Sequence, residues 1–517
     1  MRTRWLWSVV AAVALLRAIA AARLPLTGDE AYYWEWSRHL ALGYTDHPPL
    51  VAYAIASFAW LGRTPFAVRI PFVLCGLVAA VCAGAAASRI ARDQRAGAIT
   101  AVAVALTPML FIAFGIATPD GPYLLFWALT LYLAVRAFED RSPQWFALLG
   151  IALGGAFLSR LFGIVLLAGV LAFSAAPERR WAWRGGMWFT AALFALCVAP
   201  FFLWNADHGW SSFVFALLQR HAPHVQLTRP LLLHATLALA YSPGLYIAAA
   251  LLAFRRNEPL IAWTVLPLSI VLTVLAFREP VEVYWFFGPF ISLCVAMGVS
   301  FVRLAPSSKR RWAIAATLPA SLLSTILFIA VLAPGSVYAG VRHFVRLSDN
   351  GPFEAFSYPL LAANTHKLVH GADEIVMTDG YGFSSLLDFY ARITPVVIGY
   401  DAQGSEARRW YSEATRPRRA LFLDKIPLQN RPDFQAQLSR ACRSLHPGPT
   451  QYFIIGHIDA YGIEVPPRQY YSTWCEGVRP GGISILRWGA KTTGTRRKYR
   501  RHRSALCMSV VAKLPGG

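Results

Sequence analysis

Long apolar runs separated by short polar loops fill roughly the first two-thirds of the chain. Trp5–Ala22 opens the series, and further runs follow near 66–88, 97–114, 121–136, 145–158, 161–176, 187–204, 230–254, 259–277, 284–302 and 312–333. A helix needs about 20 apolar residues to cross a hydrocarbon core of about 30 Å, so the pattern predicts an all-α polytopic membrane domain of about eleven transmembrane helices. The first run follows Arg2 and Arg4 and resembles a signal peptide, with Ala20-Ala21-Ala22 as a cleavage site. It is nonetheless long enough to be retained as a span. Pro49–Leu61 is too short to span, since its helix would rise only about 20 Å. It is expected to lie in the interface as a juxtamembrane helix of the first outer loop.

Beyond about residue 335 the pattern changes. Charges, Gly and Pro appear throughout, and short β-rich runs such as Glu374-Ile375-Val376-Met377, Pro395-Val396-Val397-Ile398, Ala420-Leu421-Phe422-Leu423 and Tyr452-Phe453-Ile454-Ile455 alternate with polar stretches. The expectation is a membrane domain over residues 1–334, a C-terminal α/β domain over 335–490 and a basic, disordered tail over 491–517. No internal repeat or pair of broken helices of the symmetric-transporter kind is visible.

Composition agrees with this class: 56% of residues are hydrophobic and 15% charged, too apolar for an ordinary soluble chain. The net charge of +22 does not point to nucleic acid, because much of the excess sits in short loops between the apolar runs. With the N-terminus cytoplasmic, Arg89, Arg92, Arg95, Arg136, Arg141, Arg179, Arg180, Arg184, Arg255, Arg256, Arg303, Lys309, Arg310 and Arg311 all fall on the inner side. This sorting requires that Pro49–Leu61 not cross and that 145–176 be split at Ser159-Arg160. The C-terminal α/β domain is then extracytoplasmic. Cys442 and Cys475 lie in it and could pair there, though spacing leaves the matter open.

Residues 1–334 hold 13 acids, and Asp29, Glu30, Glu35, Asp46, Asp120, Asp207, Glu279 and Glu282 collect on the outer side. Asp29-Glu30 follows the first span and begins an amphipathic aromatic stretch with Tyr32, Tyr33, Trp34 and Trp36, rings suited to headgroup depth. Asp29 can cap that helix. Alternatively, adjacent carboxylates suit a reaction in which a hydroxyl or amine loses a proton while attacking a sugar carbon activated by a phosphate leaving group. A second cluster, Tyr44-Thr45-Asp46-His47-Pro48-Pro49, reads as a turn or as a site where His47 pairs with a lipid phosphate. Asp46 could join His221, in the loop that also carries Arg220, around a divalent metal, the one cofactor the sequence suggests without making it certain. Arg160 at the outer rim can snorkel or clamp phosphate oxygens. Asp120 is either a turn residue or a substrate contact, and Glu279 and Glu282 are candidates for substrate contact.

The order of these features, Leu26-Thr27-Gly28-Asp29-Glu30-Ala31-Tyr32-Tyr33-Trp34, then Tyr44-Thr45-Asp46-His47-Pro48-Pro49-Leu50, then Phe66-Ala67-Val68-Arg69 and Ala117-Thr118-Pro119-Asp120, resembles the GT-C glycosyltransferases of the family 39 type. That group contains protein O-mannosyltransferases and bacterial lipid A aminoarabinose transferases. The resemblance covers roughly residues 1–330 and is densest in the first 160. It implies two juxtamembrane helices in the first loop, a polyprenyl-phosphate sugar donor, a catalytic Asp at Asp29 and a basic phosphate contact. Ser159-Arg160 resembles the family's Ser-Lys hairpin, with a bidentate cation in place of a point charge. His47 departs from the aminoarabinose branch, which has Lys there.

Two readings follow. The first is a transferase at the outer face of a bacterial-type inner membrane, with Asp29 and Glu30 catalytic, His47 and Arg160 on the donor phosphate, and Tyr32, Tyr33, Asp120, Arg220, Glu279 and Glu282 contacting substrate. Its acceptor would be lipid A, another glycan or a protein. The second is a flippase-like carrier of lipid-linked saccharide without chemistry, which would be expected to place its polar groups along mid-membrane helices.

Overall fold

A computed structural model of the protein describes residues 4–216, 225–241, 258–305, 307, 358–369, 374–393, 396–398, 418–453 and 468–479. The chain divides into two compact units, one of Met1–Arg23 with Trp36–Leu327, the other of Leu24–Glu35 with Phe328–Gly517. The predicted span 312–333 and the basic tail lie outside the described residues.

The first unit is helical. Its helices are α1 (Arg4–Arg23), the end of α2 (Gly28–Arg38), α3 (Leu50–Ala56), α4 (Pro65–Ala91), α5 (Gln94–Leu106), α6 (Pro108–Ala113), α7 (Asp120–Asp140), α8 (Pro143–Ser159), α9 (Gly163–Ser174), α10 (Gly186–Asp207), α11 (Ser211–Val214), α12 (Arg229–Tyr241), α13 (Pro259–Ala276) and α14 (Phe287–Arg303). Among the described residues six helical segments are long and apolar enough to cross a membrane: α1, α4, α7, α10, α13 and Val283–Arg303, which is α14 with the 3-10 turn before it. The stretches expected near 97–114, 145–158 and 161–176 form shorter helices. Pro49–Leu61 yields the seven-residue α3 and a 3-10 turn, too short to cross, as its length predicted.

The run at 97–114, expected to be one helix, breaks at Thr107-Pro108. Proline has no amide hydrogen to donate and pushes the residue before it into extended conformation, and Thr107 has ψ 123. The broken end exposes carbonyls inside an apolar bundle. Arg17, buried on α1, donates to Ala105 O at 3.0 Å and Phe111 O at 3.2 Å, with Leu110 O at 3.5 Å. Nearby helices approach backbone to backbone: a Cβ on Gly84 of α4 would stand 2.8 Å from Gly97 O of α5. A buried chain from Trp127 Nε1 to Ser292 Oγ to Thr264 Oγ1, each step 2.9 Å, ties α7, α14 and α13.

In the second unit helices α15 (Tyr358–Leu368), α16 (Tyr381–Ala391) and α17 (Pro432–Ala441) accompany strands β1 (Glu374–Asp379), β2 (Val396–Ile398), β3 (Arg419–Asp424), β4 (Cys442–Pro447), β5 (Gln451–Phe453) and β6 (Arg468–Val478). The order is β2-β1-β3-β6-β4, with β5 also on β6. β1 pairs in parallel with both β2 and β3, Met377 opposite Val396 and Phe422, while β6 runs antiparallel to β3 and β4. Val376 and Leu421 are fully enclosed, and Met377, Phe422, Phe434 and Leu438 build a core on the α17 side. Cys442 and Cys475, whose pairing spacing alone left open, are joined by a disulfide between β4 and β6 with Cα atoms 5.5 Å apart.

Closing a loop of this length restricts the unfolded chain, so replacing both cysteines by serine should cost about 3 kcal/mol. The check is the denaturant midpoint of the second unit's strand amides, followed by hydrogen exchange in the intact protein.

Candidate active site

Residues 24–35 fold with the second unit, and their local order begins at Thr27. Its carbonyl accepts the first helical bond of α2 from Ala31 N–H at 3.1 Å. Its hydroxyl accepts from Glu30 N–H at 3.4 Å, while Thr27 N–H donates to Glu30 Oε2 at 2.9 Å. This is a reciprocal capping box, so the alternative reading of Asp29 as the helix cap gives way to Thr27. Asp29 stands one position inside the first turn, where the positive end of the helix dipole favours a carboxylate. The two acids thus separate: Glu30 is wholly buried and held by Thr27, whereas Asp29 is exposed. The Tyr381 hydroxyl, from the first residue of α16, donates to Asp29 Oδ1 at 2.8 Å.

The aromatic residues after this pair also differ from expectation. Tyr32, Tyr33, Trp34 and Trp36 are buried in protein and do not present their rings to lipid. Tyr32 packs 4.4 Å from Tyr381, and Trp34 meets Phe389 edge-on at 4.9 Å. In the first unit Trp36 stacks on Tyr44 at 3.9 Å. Ring packing in a dense interior outweighs interfacial anchoring when a protein surface is available.

The second cluster lies wholly in the first unit. The Tyr44 hydroxyl sits 3.1 Å from Trp36 O and 3.0 Å from His39 O, closing the turn after α2. Ser212 Oγ donates to Tyr44 O at 2.8 Å, and Asn205 Oδ1 accepts from Ser212 N–H at 3.2 Å. The segment with Asp46 and His47 is thereby fastened to α11. Asp46 is buried and His47 half-buried. Burial, and secondarily the charge of Arg38, pushes the nearby His39 imidazole below its usual range. Arg220 and His221 lie outside the described residues. Among the described residues no group of three or more His, Cys, Asp or Glu side chains gathers as metal ligands do.

A third cluster joins two residues singled out separately in the sequence. Asp120 opens α7, and Arg160 follows the end of α8 in the extended link to α9, where the sequence pattern splits the helices. Arg160 Nη2 donates to Asp120 Oδ2 at 2.8 Å, and Nε stands 2.7 Å from Oδ1. Asp120 is 5% exposed and Arg160 6%, so the pair is essentially dry. The guanidinium also lies over the Tyr284 ring at 5.1 Å. Tyr284 follows the loop that carries Glu279 and Glu282, of which Glu279 is buried. One turn into α7, the buried Tyr123 hydroxyl has no hydrogen-bond partner among the described residues. An anion reaching this cluster meets a guanidinium already oriented, and partly neutralised, by Asp120.

Tyr381, Tyr284 and Tyr123 were not singled out from the sequence. Tyr123 alone carried a local signal, three residues from Asp120 on the same helical face. The other two are brought in by contacts distant in sequence, 352 residues in the case of Tyr381 and Asp29.

Breaking the dry pair from one side leaves the other charge uncompensated. Arg160→Ala should therefore destabilise the protein by about 3–5 kcal/mol, and the double replacement Asp120→Leu with Arg160→Met by much less. Thermal unfolding in detergent measures both.

Residues 46–204 match the family model described as dolichyl-phosphate-mannose-protein mannosyltransferase. The chain is 29% identical over 188 residues to the lipid A galacturonosyltransferase RgtD of Rhizobium johnstonii, a match that spans 35% of this chain and 38% of that protein. Its fold resembles that of ArnT from Cupriavidus metallidurans bound to undecaprenyl phosphate, with a TM-score of 0.62 and 16% identity over 91% of this chain and 98% of that one. The apo form of ArnT gives a TM-score of 0.60 at 15% identity with the same coverage. Helices long enough to span and this shared fold make the chain a multi-pass membrane protein. The resemblance carried by the first 160 residues agrees with these matches: residues 46–204 are similar to the mannosyltransferase family, and the chain shares its fold with ArnT.

Proposed function

We propose that the protein transfers a sugar, with inversion, from a polyprenyl-phosphate-linked donor to an envelope acceptor, and that Asp29 is the base or acceptor-orienting group. The acceptor hydroxyl or amine gives its proton to the Asp29 carboxylate as it attacks the anomeric carbon. The bond from that carbon to the phosphate oxygen breaks, and polyprenyl phosphate leaves with the electron pair. The observation that carries the reading is the division of labour in the acidic pair: Glu30 is buried in the capping box, and Asp29 is exposed in the first turn of α2. Glu30 then supports catalysis by fixing the turn.

His47 and Arg160 are assigned to the donor phosphate, the latter in an orientation set by Asp120. Tyr32, Tyr33, Arg220, Glu279 and Glu282 remain candidates for substrate contact, and Asp46 with His221 for a divalent metal. The likeness to ArnT bound to undecaprenyl phosphate supports a carrier of that type, and the RgtD match supports lipid A as the first acceptor to test. We assign the reaction to the outer face of the inner membrane, with about eleven spans, a cytoplasmic N-terminus and an extracytoplasmic α/β domain. The matches do not favour the carrier alternative.

In purified protein given a polyprenyl-phosphate sugar and lipid A, Asp29→Asn should lower transfer by about 100-fold or more. Glu30→Gln should act mainly through stability, by about 1 kcal/mol, because it weakens a cap. Mass spectrometry of envelope glycolipids with and without the gene identifies the product. Undiminished transfer by Asp29→Asn would remove Asp29 from the mechanism.

A further inference from the structure

We propose that Tyr381 is a positioning residue for Asp29, so that the turn from β1 into α16 is part of the catalytic centre; this rests on the transferase reading above. The geometry lies within one compact unit, which contains residues 24–35 together with the C-terminal strands and helices.

β1 lies between two parallel neighbours, β2 and β3. The chain leaves β1 through α16 to β2 on one side, then reaches β3 on the other, so the order reverses at the carboxyl end of β1. Open α/β sheets characteristically use that end for function. Here the turn is made by Gly380, whose φ of +101 suits glycine, and α16 begins at once with Tyr381. The Tyr381 hydroxyl meets Asp29 Oδ1 at 2.8 Å.

The rest of α16 keeps the loop at this spot. A Cβ on Gly382 would come 3.2 Å from the Cα of Gly28, so the two backbones meet with no side chain between them. One turn on, Ser385 Oγ donates to Glu35 Oε2 at 2.5 Å. At the far end the Tyr390 hydroxyl accepts from Leu26 N–H at 2.8 Å. Residues on both sides of Asp29 are thus tied to one helix. Packing alone does not account for the hydroxyl of Tyr381, since a phenylalanine ring would make the same 4.4 Å contact with Tyr32. The hydrogen bond from Tyr381 to Asp29 Oδ1 favours one Asp29 rotamer and so sets the direction of the carboxylate.

Tyr381→Phe tests this with the ring retained. The expected result is a kcat lower by about tenfold or more, an apparent KM for the polyprenyl-phosphate sugar within about twofold of the parent, and an unchanged thermal midpoint. A merely structural role would move the midpoint and KM with kcat. Gly382→Val, which wedges the loop from α16, should lower kcat as well, and Tyr381→Phe should add nothing measurable to Asp29→Asn. Parental kcat in Tyr381→Phe overturns the proposal. If the parent transfers no sugar the transferase reading fails instead, and hydrogen exchange decides the anchoring: faster exchange of amides 26–31 in Tyr381→Phe supports it, unchanged exchange overturns it.

Discussion

The reciprocal hydrogen bonds between Thr27 and Glu30 decide what the acidic loop can do. A helix begins with unsatisfied N–H groups, and here a hydroxyl and a carboxylate supply the acceptors. Glu30 is withdrawn into the protein by this service, and Asp29, one residue earlier, is turned outward in the most electropositive part of the helix. Two carboxylates adjacent in sequence acquire different environments from a single local rule. The candidate chemistry of the protein depends on that separation.

The same requirement, that buried polar groups be paired, shapes the apolar unit. Two buried guanidiniums there sit on specific partners. Arg17 covers Ala105 O at the Thr107-Pro108 break and Phe111 O at the end of α6, and Arg160 meets Asp120 where two helices are joined by an extended link. The break at Thr107-Pro108 is therefore a junction fastened by another helix. In an interior this apolar, leaving either guanidinium without its acceptors would cost several kcal/mol, and the partners hold these irregular segments in one arrangement.

Much of the organisation was legible because it follows from short-range periodicity. Apolar runs located α1, α4, α7, α10, α13 and α14, the length of Pro49–Leu61 kept it from spanning, and the interruption at Ser159-Arg160 separated α8 from α9. The β-rich runs at Glu374 and Ala420 fall on β1 and β3. Asp29, Glu30, Asp120 and Arg160 were recognisable as residues of interest, since acids and bases are rare amid so much apolar sequence. Their partners were not. The pairing of Asp120 with Arg160 spans 40 residues, and that of Asp29 with Tyr381 spans 352.

The sequence by itself determined the helical membrane class, most of the long apolar helices with the split between α8 and α9, and the short list of polar residues able to do chemistry. Each follows from interactions between near neighbours: burial of apolar runs, the missing amide of proline and the local chemistry of a helix start. Only the tertiary structure decided which acid is exposed to act and which is enclosed, that the aromatic run packs on protein instead of lipid, that Cys442 meets Cys475, and that Tyr381 reaches Asp29. The physical reason is that hydrogen bonds and ring contacts are specific at about 3–5 Å and depend on which distant segments the fold brings within that range. Periodicity carries no record of those encounters.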